Sequence, residues 1–160
     1  MSVTIDPATR DDTPLILEFI CELAEYERLR DRVVASEADL RHWLFGANPV
    51  AEVVIAREAG APVGFAVFLT SFSTFLGRPG IYLEDLFVRE AARGRGVGRA
   101  LLGHLAQLAD RRGWGRVEWA VLDWNEPAIG FYERLGAQIL RDWRVCRLTG
   151  DALKRLASPM

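Results

Sequence analysis

The chain has 160 residues, half of them hydrophobic, with 20 Lys and Arg against 22 Asp and Glu and a net charge of −2 at pH 7. That size and apolar content suit one domain with a sizeable core, and the slight acidity argues against nucleic-acid binding, which needs a basic face. No apolar stretch approaches the ~20 residues of a membrane span, no secretion signal is visible, and Cys21 and Cys146 are too few for a disulfide framework, so the default setting is the cytoplasm.

Val3 to Ile5 is a short β-rich start closed by Asp6-Pro7. Thr13-Pro14 reads as an N-cap followed by proline at the first helical position. Leu15, Phe19, Leu23 and Tyr26 then recur at helical spacing, so a helix should run to about Arg28. Ser36 and Asp39 resemble a capping box opening a second helix through Phe45. Ala51–Arg57 and Val63–Thr70, split by Ala59-Gly60-Ala61-Pro62, read as an antiparallel hairpin. Phe72 to Gly80 reads as a further hairpin loop, followed by a strand from Ile81 to Val88 and a helix from Arg99 to Arg112. Arg116 to Leu122 is the next strand. Asn125 caps a helix to Leu135, with Pro127 in its first turn and Gly136 beyond its end. Ile139–Leu140 and Arg144–Leu148 fit a terminal strand pair before a short helix from about Asp151. The expected architecture is α/β, one domain over residues 1–160, with helices around a mixed sheet.

Arg93-Gly94-Arg95-Gly96-Val97-Gly98 lies between a strand and a helix. Such a turn brings backbone N–H groups together at the positive end of a helix dipole, and glycine lets an anion approach the main chain. Arg93, Arg95 and Arg99 add charge, so a phosphate or pyrophosphate is the simplest ligand. A dinucleotide fingerprint would need glycine where Arg99 stands. Glu118, about 20 residues on, nevertheless falls near the place of a ribose-binding acid. A P-loop fails because no Gly-Lys-Ser/Thr follows. An ordinary strand-to-helix turn remains open.

A second motif narrows these options. Trp124-Asn125-Glu126-Pro127-Ala128-Ile129-Gly130-Phe131-Tyr132-Glu133-Arg134-Leu135-Gly136 follows the next strand. With Arg93-x-x-Gly96-x-Gly98 it resembles the GNAT superfamily of acetyl-CoA-dependent N-acetyltransferases. Tyr82-Leu83-Glu84-Asp85-Leu86-Phe87-Val88 and Leu23-Ala24-Glu25-Tyr26-Glu27 further resemble the diamine branch, the spermidine/spermine and thialysine enzymes. The resemblance implies a GNAT fold with a mixed, mostly antiparallel central sheet. It also implies acetyl-CoA as cosubstrate, a small amine as acceptor and a homodimer.

It further implies that Leu86, Phe87 and Val88 pair through their backbone with the pantetheine arm. Arg93, Gly94, Arg95, Gly96, Val97, Gly98 and Arg99 would hold the pyrophosphate, with Asn125 contacting CoA or ordering the site. Tyr26 and Glu27 match the branch's amine-binding positions. Glu22 and Glu25 add charge nearby, although an exposed acidic helix face also explains them.

Acetyl transfer to an amine poses two proton problems. A lysine-like amine has a pKa of ~10.4, so freeing its nucleophilic form at pH 7 costs about 4.6 kcal/mol. Glu84, mid-strand in an apolar sequence, is the candidate to bind the ammonium and relay its proton through water. Strand alternation sets Glu84 and Asp85 on opposite faces, against a catalytic pair; a buried acid paired with arginine is the plainer reading of Glu84. Tyr132 holds the family's position for protonating the departing thiolate, while its helix face alone fits core packing. Asp142 is the one acid between Gly136 and Trp143. That connection is shorter than in the diamine enzymes, which favours a short lysine-like amine over a long polycation. His42 and His104 lack ligand spacing, so no metal is expected. An acetyltransferase for protein N-termini or lysines, and a non-catalytic acyl-CoA-binding regulator, are the competing functions.

Overall fold

The computed structural model describes residues 2–159, which group into two compact units divided after Ala120. The first unit is organised by a five-stranded sheet in the order β1 (Val3–Pro7), β2 (Glu52–Glu58), β3 (Ala61–Ser73), β4 (Arg78–Val88) and β5 (Val117–Glu118). The first four strands pair antiparallel and β5 joins β4 in parallel. A doubly wound parallel sheet is thereby excluded, and with it the dinucleotide-fold option. Glu118 forms an ion pair with Arg116 at 2.8 Å.

Both faces of this sheet are covered, which is why its inner strands read as continuous apolar runs. On one face α1 (Thr13–Tyr26) buries Ile16, Phe19 and Leu23 against Val53, Ile55, Phe65, Val67 and Phe87. The Phe19 and Phe65 rings stack at 5.0 Å. Alternation sends Val54, Ala56, Ala66 and Phe68 to the other face, where α3 (Val97–Arg112) packs with Val97, Leu101 and Leu105 buried. α2 (Glu37–Phe45) begins with the Ser36–Asp39 capping box read from sequence.

Several boundaries move from their expected places. Asp12, not Thr13, flanks the start of α1, and Thr13 donates its hydroxyl proton to the Arg10 carbonyl at 2.6 Å. The β2–β3 turn needs only Ala59 and Gly60, both at positive φ, so the hairpin is tighter than expected. β3 and β4 extend to Ser73 and Arg78, leaving Thr74 to Gly77 as the loop between them. β5 is two residues long instead of seven.

The second unit, described by itself, holds α4 (Glu126–Arg134) and α5 (Gly150–Ala157). Asn125 caps α4 by accepting from the Ala128 N–H at 3.4 Å, and Gly136 beyond its end takes φ +92. The expected strands at Ile139–Leu140 and Arg144–Leu148 do not form: the segment is irregular, with Leu140, Trp143, Val145 and Leu148 exposed. The alternation Arg-Val-Cys-Arg-Leu is strand-like, but a strand requires a neighbour to take its N–H and C=O groups. Among the described residues none is paired with it.

Candidate active site

Strand β4 carries a bulge at its centre. Val67 lies opposite Asp85 and Phe68 opposite Leu83, so Glu84 is the extra residue. The expected alternation of Glu84 and Asp85 therefore fails: pairing with Val67 turns Asp85 toward the α1 face, and Glu84 stands where the alternation resets. Glu84 is exposed, not buried, and no ion pair with arginine is seen for it among the described residues.

Asp85 is the more perturbed carboxyl. Burial pushes its pKa up to about 6, and the charges of Glu84 and Glu27 push in the same direction. The three carboxylates thus share one locality, from the β4 bulge to the end of α1. Burial also raises Glu27, which is half-buried. Sequence reasoning missed Asp85 because nothing in Leu83-Glu84-Asp85-Leu86 announces the bulge.

Tyr26 and Glu27 reach this place through a firmly closed helix end. Arg28 adopts φ +61, its N–H donates to the Glu25 carbonyl at 3.0 Å, and the Leu29 N–H donates to the Ala24 carbonyl at 2.8 Å. This is a Schellman closure made without glycine. Glu22 is bound to Arg89 at 2.8 Å, and Glu25 pairs loosely with Arg30.

Beyond Tyr82, β4 loses its partner on one side. Parallel pairing with β5 covers only Ile81 and Tyr82, so among the described residues no strand takes that edge from Leu83 to Val88. The segment expected to pair with pantetheine lies on this open edge. One of its groups is engaged, since the Val88 carbonyl accepts from Arg93 Nε at 2.9 Å.

The glycine turn follows a short 3-10 turn at Glu90–Ala92. Gly94 and Gly96 take φ +73 and +86, and α3 begins at Val97, two residues before the expected start. Gly96 offers no side-chain cap, so the first-turn amides of Val97, Gly98 and Arg99 retain the donor capacity and positive dipole end that suit an anion. The three arginines differ. Arg93 lies over the Tyr26 ring at 4.7 Å from its centroid, and Arg95 pairs with the buried Glu58 at 2.9 Å. Arg99 lines an open groove with Gly96, Gly103 and His104. No ion pair engages Arg99 among the described residues.

In the second unit Tyr132 is buried on α4, its ring centroid 5.4 Å from that of Phe131. Its carbonyl accepts from the Leu135 and Ala137 N–H groups as the helix ends. Asp142 is exposed in the irregular segment. No group of His, Cys, Asp or Glu among the described residues is arranged to hold a metal ion, and no helix is long and apolar enough to cross a membrane.

A mostly antiparallel sheet with a bulged strand, an open strand edge and an uncapped glycine turn together fit an acyl-transfer fold. Residues 17–137 match the model of the acetyltransferase (GNAT) family, and the chain belongs to that family. It is an acyltransferase, and acetyl-CoA is the family's cosubstrate. The chain is 39% identical to a thialysine N-epsilon-acetyltransferase of Bos taurus, over 97% of each chain. It is 34% identical to an L-ornithine N5-acetyltransferase of Arabidopsis thaliana, over 93% of this chain and 85% of that one. Among solved structures, an integron cassette protein of Vibrio cholerae superposes with a TM-score of 0.82 at 32% identity, over 99% of both chains.

Proposed function

We propose that this acetyltransferase moves the acetyl group of acetyl-CoA to the terminal amine of a small lysine- or ornithine-like molecule, thialysine included. The observation that carries this reading is the shared locality of Glu27, Glu84 and Asp85. Three carboxylates crowded together repel one another, and an ammonium brought among them relieves that repulsion. The relatives that act on thialysine and ornithine support the same class of acceptor.

Glu27 and Asp85 bind the ammonium, with Tyr26 as a wall beside them. Glu84, exposed at the bulge, meets water and passes the ammonium proton through it to solvent; the relay gives the proton a path, while the roughly 4.6 kcal/mol cost of deprotonation at pH 7 remains part of the barrier. The resemblance assigns Tyr132 the protonation of the CoA sulfur, and Asn125 the ordering of the segment that carries it. Asp142 is a further contact for a longer amine.

The open edge of β4 suits an added strand, which supports pairing of the pantetheine amides with Leu86 and the unengaged N–H of Val88; Phe87, opposite Phe65, turns its backbone groups to β3 instead. The pyrophosphate fits the first turn of α3: the amides there lack a cap, and a Cβ on Gly94 or Gly96 would meet open space. Arg99 adds the cationic side chain.

A second copy of this chain is the partner we propose. Leu140, Trp143, Val145 and Leu148 together with Leu153 and Leu156 of α5 are exposed, and burial of these side chains against a second copy would remove them from water. Two free cysteines suit the cytoplasm.

The test is acetyl-CoA consumption with thialysine, ornithine, spermidine and a lysine peptide. Turnover should be highest with thialysine or ornithine. Turnover confined to the peptide would replace the small-amine reading. CoA binding without turnover on any acceptor would make the protein a regulator. Tyr132→Phe should lower kcat about a hundredfold or more; unchanged turnover removes the role assigned to its hydroxyl.

A further inference from the structure

We infer that Arg93, the first residue of the glycine turn, serves the acceptor side of the site as a positioning residue for Tyr26 and Glu27. It does not act as a ligand of the CoA pyrophosphate. The inference rests on the reading that Tyr26 and Glu27 line the amine pocket.

The side chain's commitments carry the case. Arg93 Nε donates to the Val88 carbonyl at 2.9 Å, which orients the guanidinium plane. The guanidinium carbon then lies 4.7 Å from the centre of the Tyr26 ring and 5.5 Å from that of Phe87. Both distances fall within the ~6 Å reach of a cation on an aromatic face. A guanidinium held at Nε and laid across two rings keeps only its Nη edge for other ligands. Arg99 has no comparable contacts among the described residues and already stands in the first turn of α3.

A second arginine repeats the device four residues earlier. Arg89 lies over the Phe19 ring at 4.7 Å, binds Glu22 through both Nε and Nη2, and donates to the Pro62 carbonyl at 3.1 Å. Phe19, Glu22 and Tyr26 share one face of α1 by their spacing of three and four residues. The segment joining β4 to the glycine turn is therefore fastened to that face at two points.

Arg93 is the fastening next to the carboxylates. Glu27 sits between the clamped Tyr26 and Arg28, whose φ of +61 closes the helix. Holding the Tyr26 ring fixes the direction in which Glu27 leaves α1, toward Asp85, whose charge it influences. Release of the ring should disorder the acceptor wall while the amides of the glycine turn keep their geometry.

The experiment compares Arg93→Gln and Arg93→Lys with the unmodified protein. CoA affinity is read by calorimetry, and thialysine KM and kcat by steady-state kinetics. Arg93→Gln should leave the CoA Kd within about twofold and raise the thialysine KM about fivefold or more, with kcat changing far less. Arg93→Lys should restore part of the KM, because an ammonium keeps the attraction to the ring. In a Tyr26→Leu background, Arg93→Gln should add less than about twofold, since the two residues act through one contact.

A CoA Kd weakened about tenfold with an unchanged thialysine KM would make Arg93 a pyrophosphate ligand and overturn the inference. Additive effects of the two substitutions would overturn it as well. Should the protein acetylate no amine, the proposed function fails, and hydrogen exchange then decides the role of Arg93. Faster exchange of the Glu25–Leu29 amides in Arg93→Gln supports the clamp, and unchanged protection overturns it. If Arg93→Gln does not fold, the same measurements on Arg93→Lys decide.

Discussion

Strand β4 joins two regions that recognise charge by different means. At its bulge, exposed Glu84 gathers with the partly buried Asp85 and Glu27, and Asp85 is pushed up to about pKa 6 by burial and by Glu84 and Glu27. Beyond its end, the glycine turn exposes main-chain amides at a helix start, and two of its three arginines are already engaged elsewhere in the protein. The acidic region is therefore sensitive to pH and to side-chain identity. The glycine turn is sensitive to backbone conformation and much less to pH. On the proposed reading a cation and an anion brought to the two regions would be held by independent devices, so each should be breakable without the other.

The largest separation should come from Gly96→Val. A Cβ at that position meets no atom within 4 Å, so space at the branch point is not the obstacle. The obstacle is φ +86, which a β-branched residue adopts only under strain, at about 1–3 kcal/mol. Relaxing that strain moves the first-turn amides of α3, so acetyl-CoA affinity should fall about tenfold to a hundredfold. The pH dependence for the amine should persist. Calorimetry with CoA and an amine pH profile check the two halves. An altered profile with intact CoA affinity would contradict the division.

Next in size is Asp85→Asn. On the proposed reading the ionised form of Asp85 binds the ammonium, so amine kcat/KM should decline as pH falls through about 6 in the unmodified protein. Asp85→Asn should lower kcat/KM for thialysine about tenfold at pH 8 and abolish that limb. Stability moves oppositely. A carboxyl whose folded pKa is raised above its unfolded value near 3.9 stabilises the fold only while protonated, and that contribution is lost as pH rises through 6. Asp85→Asn should therefore be more stable than the unmodified protein at pH 8, by roughly 2 kcal/mol, with the difference gone by pH 4. Thermal unfolding at the two pH values measures it. A destabilised variant at pH 8 would mean that Asp85 is satisfied by a partner and is not poised for an ammonium.

The two regions were unequally legible in the sequence. The glycine turn could be read because its determinants are local: glycines at positive φ and a strand-to-helix junction lie within six residues. Asn125 as the cap of α4 was legible for the same reason. Asp85 was not, because the bulge that turns it inward is a fact of register between β3 and β4, and no residue of β4 records that register alone. The commitments of Arg93 and Arg95 depend on Tyr26 and Glu58, distant in the chain. The strand-like run from Arg144 to Leu148 fails for a related reason: alternation specifies a face, but only a partner makes a strand.

The smallest expected effect tests which arginine belongs to the anion. Arg99 has no ion-pair partner among the described residues, whereas Arg95 neutralises Glu58, whose side chain is 7% exposed. Arg99→Gln should raise the acetyl-CoA KM about threefold to fivefold and flatten its dependence on salt, because one screened charge contact is removed. Arg95→Gln should act on the other axis. It strands a buried carboxylate, so the melting temperature should drop while the acetyl-CoA KM of the folded protein stays within about twofold. Both variants remove one positive charge from the same turn, so a general field effect would change KM equally in each. Unequal changes, with Arg99 dominant in KM and Arg95 in stability, would tie the anion to the start of α3. Equal changes would spread the binding over the whole turn.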